Sequence, residues 1–137
     1  MPLPDLSQAR RELDEQGYVV LPGFIDLDWL TELRTATKQQ FDLEGESAGS
    51  EFRAEAGSRR LANLVNKGET FQRIVAEPRL LSYVELVLGS EFKLSSLNAR
   101  SANPHNGSSQ PLHADMGEIV DESGFWVCNS VWMLDEF

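Results

Sequence analysis

The chain has 137 residues and a formal net charge of −10, from 22 Asp and Glu residues against 12 Lys and Arg residues. This acidity argues against general binding of nucleic acid and against an anionic membrane surface, because both need cationic protein surface. The hydrophobic content of 41% supports a packed core and argues against a disordered tail.

Compartment and redox state are constrained by what the sequence lacks. A single cysteine rules out an internal disulfide framework, and its position in an apolar run predicts a buried, inert thiol at Cys128. The N-terminus has neither the basic nor the apolar region of a signal peptide, and no window is long and apolar enough to span a bilayer. The default expectation is therefore the reducing cytoplasm.

The first ninety residues carry mainly helical patterns. Leu6, Ala9 and Leu13 share one face of a predicted first helix, which Ser7 caps and Gly17 ends. Residues 18–21 predict a short strand, broken by a Pro-Gly turn at residues 22–23.

A second predicted helix follows, capped by Asp26 or Asp28. Its apolar positions lie roughly on one side; these are Leu30, Leu33 and Phe41. Residues 44–58 shift to Gly, Ser, Ala and Glu and predict a surface loop. Helical pattern resumes near Glu69, and a last helix is predicted to start at Pro78 and to end at Gly89.

After Gly89 the hydrophobic period becomes that of strands. Residues 92–102, 112–116 and 125–134 are predicted strands, the last rich in the Phe, Trp and Val that suit a pleated surface. The order predicts an α+β fold in one domain over residues 1–137, with a mainly helical layer over 1–89 and the first core strands over 90–137.

The tripeptide His113-Ala114-Asp115 is the main chemical signal. In a strand, side chains two residues apart point the same way, so His113 and Asp115 share a face. An imidazole and a carboxylate are two of the three ligands of the 2-His-1-carboxylate sites of non-haem Fe(II) oxygenases. The alternative is an exposed ion pair of little energetic value. The other histidine, His105, lies in a predicted loop between Pro104 and Asn106, where an exposed side chain is expected.

Several basic residues would supply a local patch for an anionic substrate despite the acidic total; the alternative is that they are scattered surface charges. They are Arg59, Arg60, Lys67, Arg73, Arg79 and Arg100. Of these, Lys67 is also predicted to reach toward substrate.

Four segments in order resemble the phytanoyl-CoA dioxygenase family. They are residues 16–24 (QGYVVLPGF), residues 78–89 (PRLLSYVELVLG), residues 110–115 (QPLHAD) and residues 130–137 (SVWMLDEF). The resemblance implies an antiparallel double-stranded β-helix, a cupin-like jelly roll, with N-terminal helices packed on it. It also implies Fe(II) and 2-oxoglutarate as cofactors, with ascorbate as an optional reductant. The reaction implied is hydroxylation of a small-molecule substrate with release of succinate and CO2.

The same resemblance implies roles for individual residues. His113 and Asp115 would bind the metal, and Asp115 favours hydroxylation because halogenating relatives lack this carboxylate. Further candidates for contact with 2-oxoglutarate or substrate are Asn98, Arg100, Gln110 and Asn129. For three of these an ordinary structural role is the alternative: Arg100 would face solvent at the strand end, Asn129 would bond within the core, and Gln110 would be a loop residue.

Part of the family pattern is not found in these residues. The family's second ligand histidine and its arginine for 2-oxoglutarate lie further downstream, and about four strands are predicted where a jelly roll has about eight. We therefore expect an incomplete jelly roll, the N-terminal half of an oxygenase domain, completed by a C-terminal half or a second chain. The alternatives are a non-catalytic jelly-roll binding module, a truncated member with an incomplete metal site, and a cupin-like protein with another divalent metal.

Overall fold

A computed structural model describes residues 3–52, 57–102, 113 and 124–136. These residues form four α-helices and two β-strands, so the predicted α+β class is confirmed at that level. In chain order the elements are α1 (Leu6–Gln16), α2 (Leu27–Glu44), β1 (Ser58–Leu61), α3 (Glu69–Val75), α4 (Pro78–Leu88) and β2 (Ala99–Ala102), with short 3-10 helices at Gly45–Ser47 and Leu64–Asn66. None of the helices in these ranges has the length and apolar character needed to cross a bilayer.

The chain divides into two compact units. The first comprises Met1–Leu30, Glu77–Lys93 and Ala114–Phe137, and the second comprises Thr31–Ala76 and Leu94–His113. The prediction of a single domain over the whole chain stays a prediction.

In the first unit α1 packs against α4. The side chain of Asp5 caps α1 by accepting a hydrogen bond of 2.7 Å from the backbone N–H of Gln8, so the prediction of Ser7 as the cap is wrong. Asp5 rather than Ser7 is the N-cap, because the side chain of Asp5 lies just before the first turn, where the unsatisfied N–H groups point. Gly17 ends α1 as predicted, with a left-handed φ of 80° that glycine adopts without steric cost.

The fourth helix also matches its prediction. Pro78 occupies its first turn, where the missing N–H costs nothing, and Gly89 ends it. The phenol of Tyr83 donates a hydrogen bond of 2.7 Å to the carbonyl of Pro4, which holds the N-terminal segment on α4.

An aromatic cluster completes the described core of this unit. The ring of Trp132 meets Phe24 and Trp29 edge to face, with centroid distances of 5.6 and 5.3 Å. Asp26 holds Trp29 in place, because its carboxylate caps α2 by accepting from the Trp29 N–H at 2.8 Å. Of the two caps predicted for α2, the structure therefore uses Asp26.

Two predicted strands of this unit are absent. Residues 18–21 and 125–134 have no regular strand structure, although the turn at residues 22–23 is present. Side chains in both segments are exposed, including Val20 and Val131. A run of apolar, strand-favouring residues predicts an extended backbone. A strand also needs a neighbour for its N–H and C=O groups, and neither segment forms a ladder with the described residues.

The second unit holds an antiparallel pair formed by β1 and β2. Their register pairs Ser58 with Ala102, Arg60 with Arg100 and Leu61 with Ala99. The strand predicted over residues 92–102 is shortened to its last four residues. Before them the contacts are irregular, since the N–H of Leu64 donates to the carbonyl of Leu97 at 2.9 Å while Asn63 adopts a left-handed φ of 55°.

The core of this unit lies between α2, α3 and β1. Its buried apolar side chains are Leu33, Phe41, Leu61, Leu64, Phe71 and Ile74. Two of the three residues predicted for the apolar side of α2, Leu33 and Phe41, are thus buried here. The predicted loop over residues 44–58 contains the 3-10 helix Gly45–Ser47, and β1 begins at its last residue.

Close packing holds the described part of that loop on β1. A Cβ at Gly49 would lie 2.8 Å from the carbonyl oxygen of Arg60, and the φ of Gly49 is +78°. Both facts require glycine, because a side chain would collide with the strand and strain the backbone. The segment that follows α2 is therefore fixed against Arg60.

Candidate functional site

The predicted metal ligands are only partly described. The side chain of His113 is exposed, and it belongs to the second unit. Asp115 lies outside the described residues, as do Gln110, His105 and most of the strand predicted over residues 112–116. Among the described residues, no three His, Cys, Asp or Glu side chains are grouped so that they could hold a metal ion. The pairing of His113 with Asp115 stays a prediction.

The donor chemistry of the tripeptide nevertheless suits the expected metal. Imidazole is a good ligand for iron, and imidazole with one carboxylate belongs to the donor set of Fe(II) oxygenases.

The three other described candidates differ in position. The side-chain oxygen of Asn98 accepts from the N–H of Asn63 at 3.3 Å, and its amide nitrogen donates to Ser96 at 3.3 Å. Asn98 thus supports the irregular chain before β2. Arg100 is exposed on β2, and Asn129 is exposed in the first unit rather than buried in a core. Contact of any of them with 2-oxoglutarate stays a prediction.

Lys67 occupies a largely buried ion-pair cluster. Its ammonium donates to the carboxylate of Glu44 at 2.7 Å and lies 3.1 Å from that of Glu51. The side chains of Lys67 and Glu44 are 13% and 15% exposed. The cluster ties the end of α2 and the following turn to the segment before α3. Contact of Lys67 with substrate stays a prediction. A cavity of about 330 Å³ opens beside Lys67, lined partly by Gln40 and Thr70.

The pKa values of Glu44 and Lys67 both depart from their ordinary values. Burial raises the pKa of Glu44, but hydrogen bonds from Lys67 and Gln40 and the charge of Lys67 outweigh it, so the pKa lies below its ordinary value. Burial lowers the pKa of Lys67, but its bonds to Glu44 and Glu51 outweigh that effect and hold the pKa above its ordinary value. Both groups are therefore charged at neutral pH.

Other cations proposed for an anionic patch have partners within the fold. Arg73 pairs with Glu32 at 3.4 Å and Arg79 with Glu77 at 2.6 Å. The guanidinium of Arg59 stacks on the ring of Phe41 at 4.6 Å. These contacts fit the alternative interpretation of ordinary surface charges.

Arg60 differs from these residues. Its guanidinium lies over the ring of Phe52 at 5.0 Å. Its Nε is buried and has no hydrogen-bond acceptor within the described part of the chain. Sequence reasoning included Arg60 in a scattered set and missed its pairing with Arg100, because no local signal carries the register of two strands forty residues apart.

Cys128 is half-buried, and burial raises the pKa of its thiol. A raised pKa disfavours the nucleophilic thiolate. The position therefore agrees with the predicted inert thiol, although burial is only partial.

Comparison with known proteins gives one match. The sequence model of the family described as phytanoyl-CoA dioxygenase matches residues 13–137. No curated protein and no solved structure matches the chain significantly. The matched range includes both proposed metal ligands and both segments where predicted strands are absent from the structure.

Proposed function

Because this chain belongs to the phytanoyl-CoA dioxygenase family, we propose that it is an Fe(II)- and 2-oxoglutarate-dependent oxygenase that hydroxylates a small-molecule substrate. The observation that carries the proposal is the His-x-Asp sequence at residues 113–115 inside the matched range. Oxygenases of the Fe(II) and 2-oxoglutarate type are general in this family.

His113 and Asp115 would hold the metal. A histidine binds metal through a neutral ring nitrogen, while its second nitrogen is oriented by an acceptor. Asp115 would add a negative charge that favours a divalent cation, and its presence favours hydroxylation over halogenation. When bound, Fe(II) together with 2-oxoglutarate supplies the oxidative chemistry that releases succinate and CO2.

A turnover assay tests this proposal. The purified protein with Fe(II), ascorbate and 2-oxoglutarate is expected to release succinate, detected by mass spectrometry, and an iron chelator is expected to stop the release. Metal binding without succinate release would favour a cupin-like protein with another metal. Ligand binding that a chelator leaves unchanged, with no succinate, would favour a non-catalytic binding module.

The proposed fold is a double-stranded β-helix whose opening strands this chain supplies. Support comes from the family, from the antiparallel β1–β2 pair and from the exposed apolar side chains in residues 125–133. Exposed apolar residues such as Phe125, Trp126 and Val131 suit strands that a further sheet would cover. We propose that a C-terminal half or a second chain covers them.

Solution measurements on the 137-residue chain test this completion. We expect self-association in analytical ultracentrifugation, or a broad thermal transition, because the exposed apolar side chains of residues 125–133 favour association. A monomer that melts in one cooperative transition would contradict the proposed completion, while leaving the metal chemistry to the turnover assay.

A further inference from the structure

The cavity beside Lys67 lies between α2 and the segment that leads into α3, and its volume is about 330 Å³. Side chains bridge the two elements on either side of it. Thr70 donates a hydrogen bond of 2.8 Å to Glu32 near the start of α2, and Lys67 donates at 2.7 Å to Glu44 at the end of α2. The α2 residues that line the cavity fall within residues 36–43, between these two bridges.

The space exists because two of the lining residues are small. Ala36 contributes only a methyl group and Gly68 contributes no side chain. A Cβ at Gly68 would meet no atom within 4 Å, so the space beside it is open. The walls also include the buried ring of Phe71 and the exposed side chain of Leu43. Apolar walls with a few polar groups, in a volume of about 300 Å³ or more, are typical of small-molecule sites.

The polar groups of the cavity wall retain hydrogen-bonding capacity. An ammonium has three N–H donors, and in the described ranges the carboxylates of Glu44 and Glu51 are the partners of Lys67. Gln40 donates to the same oxygen of Glu44 as Lys67 does, each at 2.7 Å, so the two polar groups are neighbours. The side-chain oxygen of Gln40 remains as an acceptor. The wall therefore offers a donor and an acceptor side by side.

Charge at this wall selects against ions. One ammonium between two carboxylates, those of Glu44 and Glu51, leaves a net negative charge that repels an anion. A cation at the remaining donor would meet the ammonium of Lys67 itself. An uncharged oxygen acceptor satisfies this largely buried donor without either repulsion, and a buried donor that lacks an acceptor costs free energy.

We propose that this cavity binds an uncharged small molecule in which a carboxamide group is joined to an apolar group. The amide oxygen accepts from Lys67, the amide N–H donates to the oxygen of Gln40, and the apolar group lies against Phe71 and Leu43. The proposal rests on the cavity and its wall, so it does not depend on the proposed oxygenase activity.

Titration with three probes that share a phenyl ring tests the selection by charge. Benzamide, benzoate and benzylammonium are added separately to isotope-labelled protein, and amide NMR spectra follow the backbone N–H signals of Gly68 and Thr70. Benzamide is expected to shift these signals with a dissociation constant in the millimolar range, since the probe is small. Both charged probes are expected to bind at least about 5-fold more weakly.

Two variants of α2 test the location. Ala36→Leu fills the cavity and is expected to weaken benzamide binding at least about 10-fold, because the probe and the new side chain compete for one space. Thr35→Leu is the matched control, since it places the same side chain at the exposed neighbouring position, and its effect is expected to stay below about 2-fold.

A third variant keeps the test decisive if Ala36→Leu fails to fold, as its melting curve would show. Gln40→Leu removes the acceptor and is expected to weaken benzamide binding about 5-fold. The proposal would be overturned by unchanged Gly68 and Thr70 signals with benzamide, by a charged probe that binds as tightly, or by equal benzamide binding in wild type and the folded cavity variants.

Discussion

Replacing His113 by alanine is expected to abolish divalent-metal binding and, with it, succinate release. Mutating a residue that only orients a metal ligand weakens metal binding by up to about 100-fold. Removing the ligand itself should weaken metal binding by more than that. Mn(II) titration followed by electron paramagnetic resonance measures the affinity without turnover, and the succinate assay then measures the activity.

The chain offers a matched control for this variant. His105 is its other histidine, and His105→Ala removes the same side chain eight positions earlier; its metal affinity is expected to equal that of wild type. Asp115→Asn, which keeps the size of the side chain but removes its charge, should behave like His113→Ala. Equal loss in His105→Ala and His113→Ala, or full metal affinity in either ligand variant, would exclude the assigned pair.

Replacing Lys67 by methionine is expected to destabilise the fold by about 1 to 2 kcal/mol, between the cost for an exposed ion pair and that for a fully buried one. Methionine keeps most of the volume but leaves Glu44 largely buried without its cation. Urea denaturation followed by tryptophan fluorescence measures the loss in free energy of unfolding.

An exposed pair on α2 provides the comparison. Lys38 and Asp42 form an ion pair one helical turn apart, with side chains 76% and 61% exposed, and Lys38→Met is expected to cost about 0.5 kcal/mol or less. The double variant Lys67→Met/Glu44→Gln should recover part of the loss, because no buried charge then lacks its partner. Equal costs for Lys67→Met and Lys38→Met would show that burial does not strengthen the Lys67 cluster.

The same cluster predicts a pH dependence with a defined sign. The lowered pKa of Glu44 means that its stabilisation is complete above the ordinary value of 4.5 and is lost as pH falls through the folded value. The raised pKa of Lys67 means that its stabilisation is complete below 10.5 and is lost as pH rises through the folded value. Melting temperatures should therefore fall at both extremes, and the acid-induced part should shrink in Lys67→Met. An identical acid-induced fall in both proteins would contradict this assignment.

Helix boundaries and family membership could be predicted from sequence because their signals are local. Gly17, Pro78 and Gly89 mark helix ends through their own backbone preferences, and all three predictions are confirmed. The cap of α1 could not be predicted in the same way. Asp and Ser are both good N-cap residues, and the choice between Asp5 and Ser7 depends on where the first helical turn begins.

The partners of distant residues were decided by the tertiary structure. Lys67 meets Glu44 across 23 positions, and Arg60 of β1 is the register partner of Arg100 in β2, forty positions away. Runs of strand-favouring residues also predicted strands at residues 18–21 and 125–134, which the structure does not form. The sequence by itself determined the helices, the α+β class and the candidate ligands His113 and Asp115, because short-range preferences and residue chemistry are enough for these. Strand pairing and ion-pair partners required the tertiary structure, since hydrogen bonds between strands and contacts between charges depend on which segments become neighbours in space.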